Sequence, residues 1–132
     1  MKRQIIRVEP LASLLDKYNA PKSTAVRHGD TLYVTAAPPF EPDTGDICKG
    51  PGTIVRQTEL VLEQMKLCLE TAGSSLDNVL KCNVYCAAVE SFREVNEVYR
   101  RYFPKDPPPH VLINVRQWSG GFDIEMDCIA AV

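Results

Sequence analysis

The stretch from Thr53 to Ala72 constrains the fold more than any other. Val61, Met65, Cys68 and Ala72 fall at i, i+4, i+7 and i+11, flanked by Leu62 and Leu69. Arg56, Gln57, Glu59, Glu63, Gln64, Lys66 and Glu70 cover the other side. A 3.6-residue period of this length predicts an amphipathic helix that must lay one face on an apolar surface. Thr53 suits the N-cap, and Gly73 suits the position just past the end, where glycine adopts left-handed backbone without a Cβ clash.

The segments around this helix mostly alternate with a period of two. Gln4 to Val8 reads as a weak edge strand, and Leu11 to Tyr18 as one or two helical turns. Thr24 to Arg27 and Leu32 to Ala36 read as short strands joined at Gly29-Asp30. Pro38-Pro39 ends the second, because proline cannot donate to a ladder. The Pro- and Gly-rich stretch Phe40 to Gly52 is a loop. Asn78 to Ala87 is a strand with Cys82, Val84 and Cys86 on one face and Asn83 and Tyr85 on the other. A second helix follows, with Ser91 and Glu94 at capping-box spacing and Phe92, Val95, Tyr99 and Tyr102 along one side. Lys105 to Pro109 breaks it. His110 to Arg116 and Phe122 to Ala131 close the chain as strands on either side of Gly120-Gly121. The order predicts a single α+β domain, a mixed sheet with two helices packed on one face. The other face is left uncovered. Leu32, Val34, Ile113, Val115, Ile124 and Met126 put apolar side chains on both faces, which predicts burial against another copy.

With 132 residues and 45% apolar content, the chain is long enough for a core of its own. A formal net charge of −2, with no basic block, argues against nucleic acid as the main partner. No apolar stretch is long enough to cross a bilayer, and no h-region follows Met1-Lys2-Arg3, so neither membrane nor secretion is expected. Five cysteines, odd in number and set mostly in apolar patterns, fit buried thiols in a reducing cytoplasm. Without a CxxC or histidines at ligand spacing, no metal and no other cofactor is expected. Phosphate-binding loops, nucleophile elbows and zincin motifs are likewise absent.

Candidate chemistry concentrates near the C-terminus. Asp123, Glu125 and Asp127 share one side of a strand, either as a solvated face or around a carboxylate that acts as a base. His110 opens the preceding strand directly after three prolines, and shares a face with Leu112, Asn114 and Arg116. Asn96 is a weak helix former within a helix, which suggests a side-chain bond to backbone.

Several segments together resemble the YjgF/Rid family of reactive-intermediate (enamine/imine) deaminases, also labelled endoribonuclease L-PSP. The resemblance rests on Gly29-Asp30-Thr31-Leu32-Tyr33-Val34-Thr35-Ala36 and Pro42-Asp43-Thr44-Gly45-Asp46. It continues through Ala72-Gly73-Ser74-Ser75-Leu76-Asp77-Asn78-Val79-Leu80-Lys81 and Phe92-Arg93-Glu94-Val95-Asn96-Glu97-Val98-Tyr99, and ends at Ile124-Glu125-Met126-Asp127-Cys128-Ile129-Ala130. It spans about Ala20 to Val132, with residues 1–20 as an N-terminal extension. It implies a chorismate-mutase-like fold and a homotrimer with three interfacial sites for a small-molecule substrate. It also implies a water-activating role for Glu125 and a pocket role for Asn96.

In the family an arginine opening the penultimate strand holds the substrate carboxylate. Here that position is His110. The cysteine two residues later is Leu112, the usual Ser-Gly is Thr35-Ala36, and the tyrosine ahead of the first core strand aligns loosely with Lys22. Histidine cannot form a forked pair with a carboxylate. The resemblance therefore implies a deaminase or hydrolase of altered specificity, with Glu125 and His110 catalytic. Asn96, Thr35, Ala36, Leu112, Lys22 and Arg116 would bind substrate, with Lys22 or Arg116 supplying the missing charge. The alternative is a non-catalytic trimeric member that binds ligands or proteins.

Overall fold

The computed structural model describes residues 1–132. The chain runs β1 (Gln4–Ile6), α1 (Leu11–Lys17), β2 (Ala25–His28), β3 (Thr31–Thr35), α2 (Ile54–Thr71), β4 (Val79–Cys86), α3 (Phe92–Tyr102), β5 (His110–Asn114) and β6 (Ile124–Ala131). One six-stranded sheet has the order β1-β2-β3-β6-β4-β5. Only β4 and β5 are parallel, with α3 as their crossover. The mixed α+β architecture is as expected, but three helices are present rather than two. The short α1 joins the helical layer, where Leu11 and Leu14 share an apolar groove with Leu60, Gln64 and Leu67 of α2.

Residues 1–20, set apart above as an extension, belong to the same sheet and core. β1 pairs with β2, and Val8, Leu11 and Leu15 are buried with the main cluster. The sheet's two faces separate cleanly. Under the helices lie Ala25, Leu32, Val34, Cys82, Val84, Cys86, Ile124, Met126, Cys128 and Ala130, all buried. The alternate residues face away from the helices, and Tyr33, Val111 and Ile129 are exposed there. A bulge between Val79 and Lys81 of β4 leaves Leu80 outside the core.

The helix ends refine the sequence reading. α2 closes with a Schellman motif: Ser74 N–H donates to Leu69 C=O (2.8 Å) and Gly73 N–H to Glu70 C=O (3.1 Å), with Gly73 at φ +85°. The expected side-chain caps do not form. The Thr53 hydroxyl instead donates to Gly50 C=O (2.6 Å) and accepts from Gln57 Nε2 (2.9 Å). Ser91 ends a short 3₁₀ turn with helical backbone (φ −92°, ψ −4°), so it cannot reach forward as a capping box requires.

Two residues assigned to the polar side of α2 are buried. Gln57 accepts from Asp123 N–H (2.8 Å) and donates to the Asp123 carboxylate (3.1 Å). Gln64 accepts from Ala37 N–H (2.9 Å) and donates to Pro38 C=O (2.8 Å). The loop after β3 folds over this side of α2, and the amides satisfy backbone groups that burial would otherwise strand. They fix the chain just after Ala36 and just before Glu125.

Candidate active site

Glu125 lies on the helix-free face of β6. Cross-strand register places Tyr85 beside it and Ile113 next in the same row. Its side chain is 16% exposed, and its Oε1 accepts from Lys22 Nζ at 3.2 Å. The same ammonium donates to Ala36 C=O at 2.9 Å. Thr35 reaches the same carbonyl with its hydroxyl (3.3 Å), and Ala36 N–H is tied to Met126 C=O (2.9 Å). Four candidate residues, Lys22, Thr35, Ala36 and Glu125, are thus brought together at the end of β3 and the start of β6. Lys22 supplies a charge-assisted bond at one carboxylate oxygen, and the other oxygen has no protein partner.

The three carboxylates near this strand do not form a repelling row. Asp123 accepts from Gln57 and from Gln117 Nε2 (2.8 Å). Asp127 accepts from Asn83 Nδ2 (2.7 Å) and the Tyr85 hydroxyl (2.9 Å). That bond is the main reason the Tyr85 phenol is held above its ordinary pKa. Each acid therefore has its own donors, and only Glu125 keeps an unpaired oxygen. Asn83 and Tyr85 complete this polar surface. Their alternation on β4 was visible in the sequence, but their pairing with Asp127 needed the sheet register.

A second group forms on the opposite face. His110 pairs in register with Cys82, a residue of the helix-covered side, and its ring lies 4.4 Å from that of Tyr99 on α3. Its imidazole has no hydrogen-bond partner within the chain. Asn96, Tyr99, Arg100, Phe103, Pro107 and His110 line an open pocket of about 240 Å³. Leu112, one strand repeat along from His110, pairs with Val84 and packs partly buried against the core. Asn96 makes no side-chain bond to backbone, contrary to the expectation from its low helix propensity, and its amide is free to face the pocket.

One chain therefore brings its candidate residues into two clusters rather than one. His110 and Glu125 lie on opposite faces of the sheet. Arg116 joins neither: it is exposed beyond the far end of β5, six residues from His110. The sequence reading also missed Arg100. Its signal was its place four residues after Asn96, one helical turn along the same side.

Residues 16–132 match the model of the family described as Endoribonuclease L-PSP. A RutC family protein of Pyrococcus abyssi is 39% identical over 110 residues, covering 83% of this chain and 85% of its own. A solved Thermotoga maritima structure is 38% identical, with a TM-score of 0.78, over 85% of this chain and 87% of its own. A Rid-family protein of Yersinia pestis superposes with a TM-score of 0.86 at 27% identity, over 99% of this chain and all of its own.

Proposed function

We propose a hydrolytic deaminase reaction for this chain, which belongs to the endoribonuclease L-PSP family. The substrate is an imine, an enamine or a related small C–N compound, and water adds to the C=N carbon. The observation that carries this reading is Glu125: a largely buried carboxylate with one oxygen fixed by Lys22 and the other unpaired.

The unpaired oxygen is suited to accept a proton from water as the water oxygen attacks the electrophilic carbon. The resulting carbinolamine holds the former water oxygen and the amine nitrogen on one carbon. Starting from an imine protonated at nitrogen, the proton then passes from Glu125 to the amine nitrogen, the regenerated Glu125 carboxylate takes the hydroxyl proton as the C–N bond breaks, and ammonia leaves with a carbonyl product. Lys22, anchored on Ala36 C=O, holds the carboxylate in one orientation, which matters because a base displaced by about 1 Å loses much of its effect.

Since His110 and Asn96 face away from Glu125 within one chain, we infer that the complete site is shared between copies. The Lys22–Glu125 cluster of one copy would meet the Asn96–His110 pocket of the next, in a homotrimer whose uncovered sheet faces turn inward. Five cysteines without disulfides suit a reducing compartment, and we assign the protein to the cytoplasm.

The test is ammonia release from imines generated in situ, with Glu125→Gln beside the wild type. General-base loss lowers kcat by about 10²–10⁴-fold while melting behaviour stays near wild type. Undiminished turnover in Glu125→Gln would remove this mechanism. A wild type that binds such compounds and consumes none would favour the non-catalytic, ligand-binding alternative, for which the replacement of the β5 arginine by His110 speaks.

A further inference from the structure

We propose that Lys22 is itself a reacting group: its amine attacks the C=N carbon, displaces ammonia and holds the substrate as a Schiff base that water then hydrolyses. The place of this step in turnover rests on the deaminase reading. The covalent site, open to aldehydes and 2-oxo compounds as well as imines, does not.

The backbone fixes where Lys22 starts. Its N–H donates to Ala20 C=O (2.9 Å), and two residues on, buried Thr24 accepts from Thr35 N–H (2.9 Å). The side chain therefore leaves from beside the end of β3 and brings Nζ within 3.2 Å of Glu125 Oε1 and 2.9 Å of Ala36 C=O. Every other ion pair of the chain uses an arginine, so Lys22 is the one lysine with a carboxylate at hand to take its proton. At 31% exposure its side chain is still open to a small molecule. The hydroxyls on this face are already engaged: Thr35 donates to Ala36 C=O (3.3 Å) and Tyr85 to Asp127 (2.9 Å). A lysine amine with a base beside it is the group that forms Schiff bases with electrophilic carbons.

The steps balance. The imine enters protonated at nitrogen. Lys22 passes a proton to Glu125 along their shared contact, and rotation about Cε–Nζ turns the freed lone pair outward while one N–H stays on Ala36 C=O. The amine bonds to the imine carbon, and the π pair moves to the substrate nitrogen. A proton then shifts from the Lys22 nitrogen to that nitrogen, the old C–N bond breaks, and the Lys22 lone pair closes a protonated Schiff base. Ammonia departs with the Glu125 proton as ammonium. Glu125, ionised again, takes a proton from water as its oxygen attacks the Schiff-base carbon, and gives it to the Lys22 nitrogen. It takes the hydroxyl proton as the second C–N bond breaks, and returns it to Lys22. Iminium plus water becomes carbonyl product plus ammonium, and both residues end as they began.

The experiment traps the Schiff base in the wild type with sodium cyanoborohydride, using propanal and pyruvate separately as carbonyl probes, and maps the reduced adducts by peptide mass. Hydride adds to the Schiff-base carbon and leaves a secondary amine that water cannot cleave. Lys22 should carry the first adduct, well before Lys66 and Lys105 in the same digest. Lys22→Arg keeps a cation at Glu125 but lacks the amine, so it should lose this adduct and most of the ammonia release while melting near the wild type. Labelling of Lys22 no faster than of the other lysines with both probes, or wild-type turnover in Lys22→Arg, would each overturn the assignment. Failure of the deaminase reading looks different: Lys22 is trapped by the carbonyl probes, yet no imine releases ammonia.

Discussion

Cys82 and Cys128 face each other across the β4–β6 ladder, both beneath the helices, and remain free thiols. Burial pushes the Cys82 thiol up to about 12 and raises Cys128, Cys68 and Cys86 as well. The buried Tyr99 phenol is raised for the same reason, and its hydroxyl has no hydrogen-bond partner of good geometry although Cys82 lies close to it. The linkage has a definite sign. A folded-state pKa above the unfolded value means that the native state keeps its proton longer, so the stabilisation is complete below about pH 9 and is lost as pH rises toward 12. Denaturation midpoints should therefore fall steadily from pH 9 to 11, and Cys82→Ala should show a shallower fall. Identical slopes for the two proteins would exclude this origin. The burial of Cys68, Cys82, Cys86 and Cys128 was legible in the sequence because each sits in an apolar helical or strand pattern, whereas Cys48, in the loop after β3, is only partly buried. The freedom of the Asn96 amide was not, because propensity says nothing about which acceptors lie within reach.

At the scale of elements, α2 was readable in its extent and its main apolar stripe but not in its full burial. A period of 3.6 identifies the face that meets the sheet. It does not reveal that a loop will fold over the flank, and so Gln57 and Gln64 looked like surface residues. Their role is to receive backbone groups on both sides of the Lys22–Glu125 cluster. Replacing Gln64 with leucine leaves the buried Ala37 N–H without a partner and leaves Pro38 C=O with Phe40 N–H alone. That should cost about 2–3 kcal/mol, seen as a melting point lower by roughly 10 °C. A change within a degree or two would mean that water replaces the amide without loss. The missing caps at Thr53 and Ser91 have a similar cause, since spacing suggests a cap only where the preceding backbone is extended.

For the whole molecule, the uncovered sheet face sets the expectation of assembly. Tyr33 and Ile129 are cross-strand neighbours on that face, and both are exposed in the isolated chain (51% and 36%). Neighbouring apolar side chains on an otherwise polar sheet face are suited to an interface between copies. Sedimentation should give the mass of three chains for the wild type and of one chain for Ile129→Glu, whose charge would have to be desolvated at the interface. A wild type that sediments as a single chain at micromolar concentration would rule out a shared site, and with it any role for His110 opposite Glu125.

The sequence by itself determined the order of elements, the core stripe of each helix, the strand alternation and Glu125 as the prominent carboxylate. The first three follow from local dihedral periodicity, which a chain expresses within a few residues; Glu125 stood out through the family resemblance of its strand. The partition of the candidate residues into two clusters was decided only by tertiary structure. Alternation shows which residues of one strand share a face. It does not show which face, and β5 carries apolar side chains on both. Only its parallel pairing with β4 puts His110 on the helix-covered side of the sheet, and only the adjacency of β3 and β6 brings Lys22 to Glu125 across 103 residues of sequence.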